Sequence, residues 1–344
     1  MLYLNFLDKF YVAVEQRVGS DFSASAGYFR KHLANRVPAG SDLKVLKIVC
    51  VEDLSAAGLL YLGKEAAYND TDFYLLDKQG RKLKFAVDQA LNGEAVLVES
   101  GFDEHKLLAI VQSLVFFGLL HAGVIPVHSC SVALDGQGVL FPAWAGVGKT
   151  RVIMNLTANG AGYLSDEWTF IKDSTLFPLG RDICLLDYDL AEYSDRAGLS
   201  FWDRARLCLS LWTRPKRLRA LLQRFGLLLT YKEYGPSRLF AVAAASAPLK
   251  KLFLLQRSDQ QELSRVAVPR EELLGKMTVS FCREMGGFLY YDSLYRFARP
   301  GAPDLAGVLA DLYRRTLASA IKRVECAALV LPRQINDIDL KGAL

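Results

Sequence analysis

Residues 139–150 read VLFPAWAGVGKT, and little besides a strand, a glycine loop and a helix in succession accommodates them. Val139, Leu140 and Phe141 form a short apolar run suited to a buried strand, and Pro142 to Gly148 then break the pattern before Lys149 and Thr150 open a helix. A loop of small residues lets successive backbone N–H groups converge on phosphate oxygens, and the helix behind it adds the positive end of its dipole. The segment matches the pattern G-x-x-x-x-G-K-[ST] except at its first position, where Ala143 stands for glycine. On this reading Trp144, Ala145, Gly146, Val147, Gly148, Lys149 and Thr150 cradle a nucleotide triphosphate, Lys149 reaching the β and γ phosphates and the Thr150 hydroxyl facing Mg2+. An ordinary glycine turn ahead of a helix is the competing reading, and the strand–loop–helix setting decides against it.

Sixteen residues beyond Thr150 the chain reaches Asp166 and Glu167, between the runs GYLS and WTFI. Two adjacent acids at the end of a strand can supply a metal ligand and a general base. Thr150, Asp166 and Glu167 are therefore the candidate metal ligands, and Asp166 is the candidate base. A solvated turn between two strands is the alternative. Upstream, 125–134 reads as a strand carrying His128, for which a core histidine and a functional one compete. Downstream, Arg181 and Asp182 precede 183–186, a strand expected to join the same sheet. Arg181 is a candidate phosphate clamp, against the alternative of a surface ion pair. Arg238, in the turn YGPSR, is a weaker candidate of the same kind.

In order, these segments (VIPVHSCSVAL, DGQG, GVLFPAWAGVGKT, MNLTANGAGY and LSDEWTFI) resemble the HPr kinase-like family, whose kinase core is in turn similar to that of phosphoenolpyruvate carboxykinase. The likeness spans roughly 105–260. The resemblance implies that Gly146, Gly148, Lys149 and Thr150 bind phosphate and Mg2+, that Asp166 is the catalytic carboxylate, and that His128 lies near the transferred phosphate. It also implies a capacity to assemble into homo-oligomers. The chain departs from the family at Ala143, at Trp144, whose large side chain sits in the loop, and at Glu167, where a second aspartate is usual. No match is found to the family's C-terminal signature for the protein substrate HPr, so the bifunctional HPr kinase/phosphorylase itself is not expected.

The expected fold class is α/β, with a P-loop core of the HPr kinase and phosphoenolpyruvate carboxykinase kind, built on a mixed sheet. A small, mostly β (α+β) module at 1–102 precedes it: the runs 43–51, 73–76, 82–87 and 94–99 alternate with polar turns such as LLDKQGRK, a hairpin signal. That module is a candidate for substrate or partner recognition, and Asp70, Asp72 and Asp77 are expected on its solvated surface. The nucleotide domain is expected over 103–332, with a helical insertion at about 195–232 and a loose tail at 333–344. The apolar run LLAIVQSLVFFGLLHA has a core of about fourteen residues, short of the roughly 20 a membrane span needs, so it reads as a buried helix. The cluster FLYYDSLYRF reads as core.

In the insertion, Arg204, Arg206, Arg214, Lys216, Arg217, Arg219 and Arg224 punctuate apolar residues at helical spacing, with Pro215 starting a second helix. Three readings compete: a solvated basic face, a docking surface for an anionic substrate or acidic partner, and attachment to an anionic membrane surface. A net charge of +5 over 344 residues is too small to argue for nucleic acid. Six scattered cysteines with no metal-ligand spacing, and an N-terminus without a basic n-region, suit a reducing cytoplasm. The leading expectation is an ATP- and Mg2+-dependent kinase that phosphorylates a hydroxyl of a small molecule or peptide. The alternatives are a nucleotide-binding regulatory or scaffold protein and a phosphate-dependent phosphorylase.

Overall fold

The structure, a computed structural model, describes residues 2–16, 27–36, 44–87, 92, 94–213, 215–332 and 340–344. It is mixed α/β, with two large mixed sheets and helices around them. Two compact units divide it: 1–128 with 170–174 and 268–324, and 129–169 with 175–267 and 325–344. The compact units part inside the strand that carries His128. The first unit takes in the apolar helix and the C-terminal helices as well as the N-terminal module.

In the first unit the strands β1 (Leu2–Phe6), β2 (Phe10–Gln16), β3 (Leu33–Ala34), β4 (Lys44–Val51), β5 (Leu60–Leu62), β6 (Ala66–Tyr68), β7 (Phe73–Leu76), β8 (Lys82–Lys84) and β9 (Ala95–Glu99) form one sheet, ordered β3-β1-β2-β4-β9-β8-β7-β6-β5. Its β2–β4 and β4–β9 pairs are parallel, and its outer ladders are antiparallel hairpins. The helix Glu104–His121 is capped by Asp103, which accepts from the Lys106 N–H at 2.8 Å, and its buried positions run all round it. That accounts for its uninterrupted apolar composition, since a helix buried on every side needs no polar face. Among the described residues no helix is long and apolar enough to cross a membrane. The helices Arg270–Glu284, Gly286–Ala298 and Leu305–Ala320 complete the unit, with Phe281 stacked on Tyr313 at 4.2 Å and Phe288 edge-on to Phe85 at 5.7 Å. Of the aromatic run 288–297 only Phe288 is a buried aromatic, and Tyr290 and Phe297 are exposed, so the core reading holds for part of it.

Asp77 is a correction. Rather than lying on a solvated surface it is buried, and its carboxylate accepts from the backbone N–H groups of Gln79, Arg81 and Asp103 and from Arg81 Nε. Those bonds close the LLDKQGRK hairpin and fasten it to the start of the apolar helix.

The second sheet comprises β10 (Ile125–Leu134), β11 (Gln137–Pro142), β12 (Gly162–Ser165), β13 (Trp168–Lys172), β14 (Thr175–Pro178), β17 (Ala247–Arg257), β18 (Ser264–Val266) and β19 (Glu325–Leu331). They order as β11-β10-β13-β14-β17-β19-β18, with β12 on β10 and β11 also parallel to β17. β11, β17 and β19 therefore run in one direction side by side, and the loop that leaves β11 does so at the carboxyl end of a parallel set, where open α/β sheets place ligands. The two remaining strands, β15 (Ile183–Leu186) and β16 (Tyr231–Tyr234), depart from expectation. Among the described residues they pair only with each other, as a separate antiparallel ribbon. Along β15, Ile183 and Leu185 are buried while Cys184 and Leu186 are exposed, the alternation of a strand covered on one face.

The basic insertion contains two helices, Phe201–Trp212 and Lys216–Arg224, the second beginning directly after Pro215; Arg214 lies outside the described residues. Of the expected loose tail, 333–339 also lies outside them, but 340–344 is packed. Leu340 is fully buried in the second unit's core, and Lys251 Nζ donates to the Leu344 carbonyl.

Candidate functional site

The site grows out of the end of β11. Ala143 makes one further parallel bridge, to Leu255, and its side chain is buried in the core of the second unit. The missing glycine of the motif therefore falls where the chain is still extended and a methyl group packs. Beyond it Trp144 is half exposed and Ala145 and Gly146 are exposed. Gly146 and Gly148 take φ values of 80° and 116°, conformations that side-chain-bearing residues rarely adopt. A Cβ at Gly146 would meet nothing within 4 Å, so the glycine there serves the backbone turn and leaves the approach to the loop open.

Gly148 then begins the helix Lys149–Ala158 with no side-chain cap and no acid in the first turn. No acidic side chain of its own first turn neutralises the positive end of the helix. Cys130 of β10 steadies this start, its thiol donating to the Lys149 carbonyl at 3.5 Å.

The acid pair sits in the turn from β12 to β13. Thr150 Oγ1 donates to Asp166 Oδ2 at 3.1 Å, and the Glu167 N–H donates to Asp166 Oδ1 at 3.0 Å, so both oxygens of Asp166 are oriented. Burial pushes the Asp166 carboxyl up from its usual range, while the Lys149 charge and the Thr150 hydroxyl pull the other way. Glu167 holds a left-handed φ of 75° and turns its carboxylate into an ion pair with Arg181, whose other nitrogen lies 4.0 Å from Glu233. Thr150, Asp166 and Lys149 are thus brought together, as are Glu167 and Arg181.

His128 belongs to the other compact unit, where it is buried with Nδ1 3.5 Å from Glu284 Oε1. Arg238 lies over the Tyr234 ring, its guanidinium 5.3 Å from the ring centre.

Sequence reasoning passed over a second acidic group beside the loop helix. Arg151, next to Thr150, has Nε 3.7 Å from Asp189 Oδ1 and Nη2 3.0 Å from Glu192 Oε2. Asp189 is buried, and desolvation raises it to about 6, opposed by a backbone N–H bond and by Arg151; repulsion from Glu192 and Asp166 adds to the rise. The signal was the run DYDLAEY, whose acids lie on a short helix, Asp187–Glu192, that directly follows the β15 strand. Among the described residues no group of three or more His, Cys, Asp and Glu is placed to hold a metal unaided.

No protein-family model matches the chain. Over 104 residues, 30% of this chain and 79% of the other protein, it is 30% identical to spore germination protein 2 of Dictyostelium discoideum.

Proposed function

We propose that this chain, which over those 104 residues belongs to one sequence family with spore germination protein 2, is an HPr kinase-like phosphotransferase that moves the γ-phosphoryl group of ATP to a hydroxyl. The observation that carries the reading is the Thr150–Asp166 contact at the start of an uncapped helix, behind a loop whose two glycines adopt positive φ. The donor set fits the groups it would bind. Mg2+ is held through one or two carboxylates plus phosphate oxygens and water, and does not require an all-protein cage. Thr150 and Asp166 would supply the protein's share, and the cation when bound neutralises charge on the β and γ phosphates.

The remaining work belongs to the chain's own residues. The loop amides from Trp144 to Gly148 and the Lys149 ammonium hold and orient the triphosphate, which is the larger part of catalysis in a transfer of this kind. Asp166, with one oxygen held by the Glu167 N–H and the other beside Thr150, would take the acceptor's proton. Arg181 is held by Glu167 in the same turn region, and the pair positions the Asp166 turn. The name of the spore protein states no chemistry, so the acceptor is defined here by class, as a hydroxyl of a small molecule or peptide.

The test is transfer of labelled γ-phosphate to a panel of hydroxyl acceptors by the wild type and by Asp166→Asn. Loss of transfer with nucleotide binding retained is the expected result. If nucleotide binds and neither protein transfers phosphate to any acceptor, a regulatory nucleotide-binding role takes its place. The Glu167–Arg181 pair favours that second reading, since it withdraws one of the two acids from the metal.

A further inference from the structure

The two insertion helices expose an unusual set of side chains. Phe201 and Trp202 are 77% and 74% exposed, Trp212 is 86% and Phe225 is 69%, with leucines such as Leu218 and Leu221 beside them at 46% and 51%. The helix Lys216–Arg224 has no buried residue at all. Large apolar groups in such number are not left in water without a purpose.

Charge singles out the same element. Residues 201–227 contain seven basic side chains and one acid, whereas the whole chain carries a net charge of only +5, so its positive charge is concentrated here. The acid, Asp203, is bonded to Lys232 at 2.6 Å. Arg219 is committed to structure, donating to Asp187 at 2.6 Å and to the Ser210 carbonyl at 3.2 Å, which ties the second helix to the first. Lys216, Arg217 and Arg224 are exposed and have no acidic partner among the described residues.

We propose that these two helices and the turn behind them are a docking element for an anionic phospholipid bilayer. In this arrangement Trp202, Trp212, Phe201 and Phe225 enter the headgroup boundary and Lys216, Arg217 and Arg224 meet lipid phosphates. Tryptophan, phenylalanine and leucine beside unpaired cations match the chemistry of that boundary, apolar below and negative above. A second copy of the chain would bring like charge against like charge. An acidic protein would satisfy the cations, yet it would need shaped pockets for four separate protruding rings, which a bilayer accepts without shape.

The experiment is sedimentation of the purified full chain with vesicles of phosphatidylcholine alone and of phosphatidylcholine containing about 30% phosphatidylglycerol, read together with tryptophan emission. Binding to the anionic vesicles only, with a blue-shifted emission and release by salt, is the expected result. Two triple variants, Trp202→Ala with Trp212→Ala and Phe225→Ala, and Lys216→Glu with Arg217→Glu and Arg224→Glu, should each lower the partition at least about tenfold. Trp212→Ser alone, with a smaller loss, serves if a triple variant melts early. Equal binding to both vesicles, no binding, or variants that bind like the wild type would overturn the proposal. So would capture by soluble polyglutamate without vesicle binding, or self-association in solution that the aromatic triple abolishes.

Discussion

Gly148 holds a φ of 116°, and the first turn of the helix behind it depends on that value. Gly148→Ala should therefore lower stability by about 1–2 kcal/mol in denaturant unfolding and weaken nucleotide binding as well, because the loop amides would turn away. Asp166→Asn keeps the shape of the side chain and removes the proposed base. It should cut phosphoryl transfer by about 10²–10⁴ and leave nucleotide affinity within a few-fold.

Asp189 makes a pH prediction whose sign follows from its raised value of about 6. Between the ordinary aspartate range and pH 6 the native state keeps a proton that the unfolded chain has released, so stability is full in acid and declines as pH rises through about 6. The loss is up to about 3 kcal/mol. Asp189→Asn should flatten that part of the stability profile measured by urea titration from pH 4 to 7, and an unchanged slope would assign it to another group.

At the level of elements, Gly118 shows how tightly the apolar helix meets the first sheet. A Cβ there would lie 2.1 Å from the buried Phe10 ring. Alanine is the better helix former by about 1 kcal/mol, but overpacking costs about 1–3 kcal/mol, so Gly118→Ala should destabilise in thermal unfolding. A stabilised variant would mean that the Phe10 ring can move aside.

The sequence-based reading succeeded where local signals were strong. The turn from strand through glycine loop to helix, the Asp166–Glu167 turn, the hairpin at 77–81 and the Pro215 helix start all follow from residues close together in the chain. It failed where the decisive partner was distant. Asp77 resembles a turn aspartate until the Asp103 N–H arrives from 26 residues away. β15 looked like a sheet strand because its partner β16 follows the whole basic insertion. The first two strands, apolar and short, carried no sign of the parallel pairing of β2 with β4. Leu340 lies fully buried at the end of a segment whose composition reads as polar.

Across the whole molecule the chemistry is unevenly placed. The second unit contains the glycine loop, the oriented Asp166, the Arg151–Asp189 group and the basic aromatic helices, while the first is a sheet and helix assembly with His128 buried against Glu284. The proposed kinase chemistry and the proposed membrane docking are therefore separable by substitution, and the aromatic triple variant should bind nucleotide as the wild type does. The central claim is that the 143–150 segment binds a nucleotide triphosphate. Calorimetric titration of Mg-ATP into the wild type and Lys149→Ala tests it most directly. Micromolar binding that is lost in Lys149→Ala is the predicted result, and no heat from either protein with any nucleotide would contradict it.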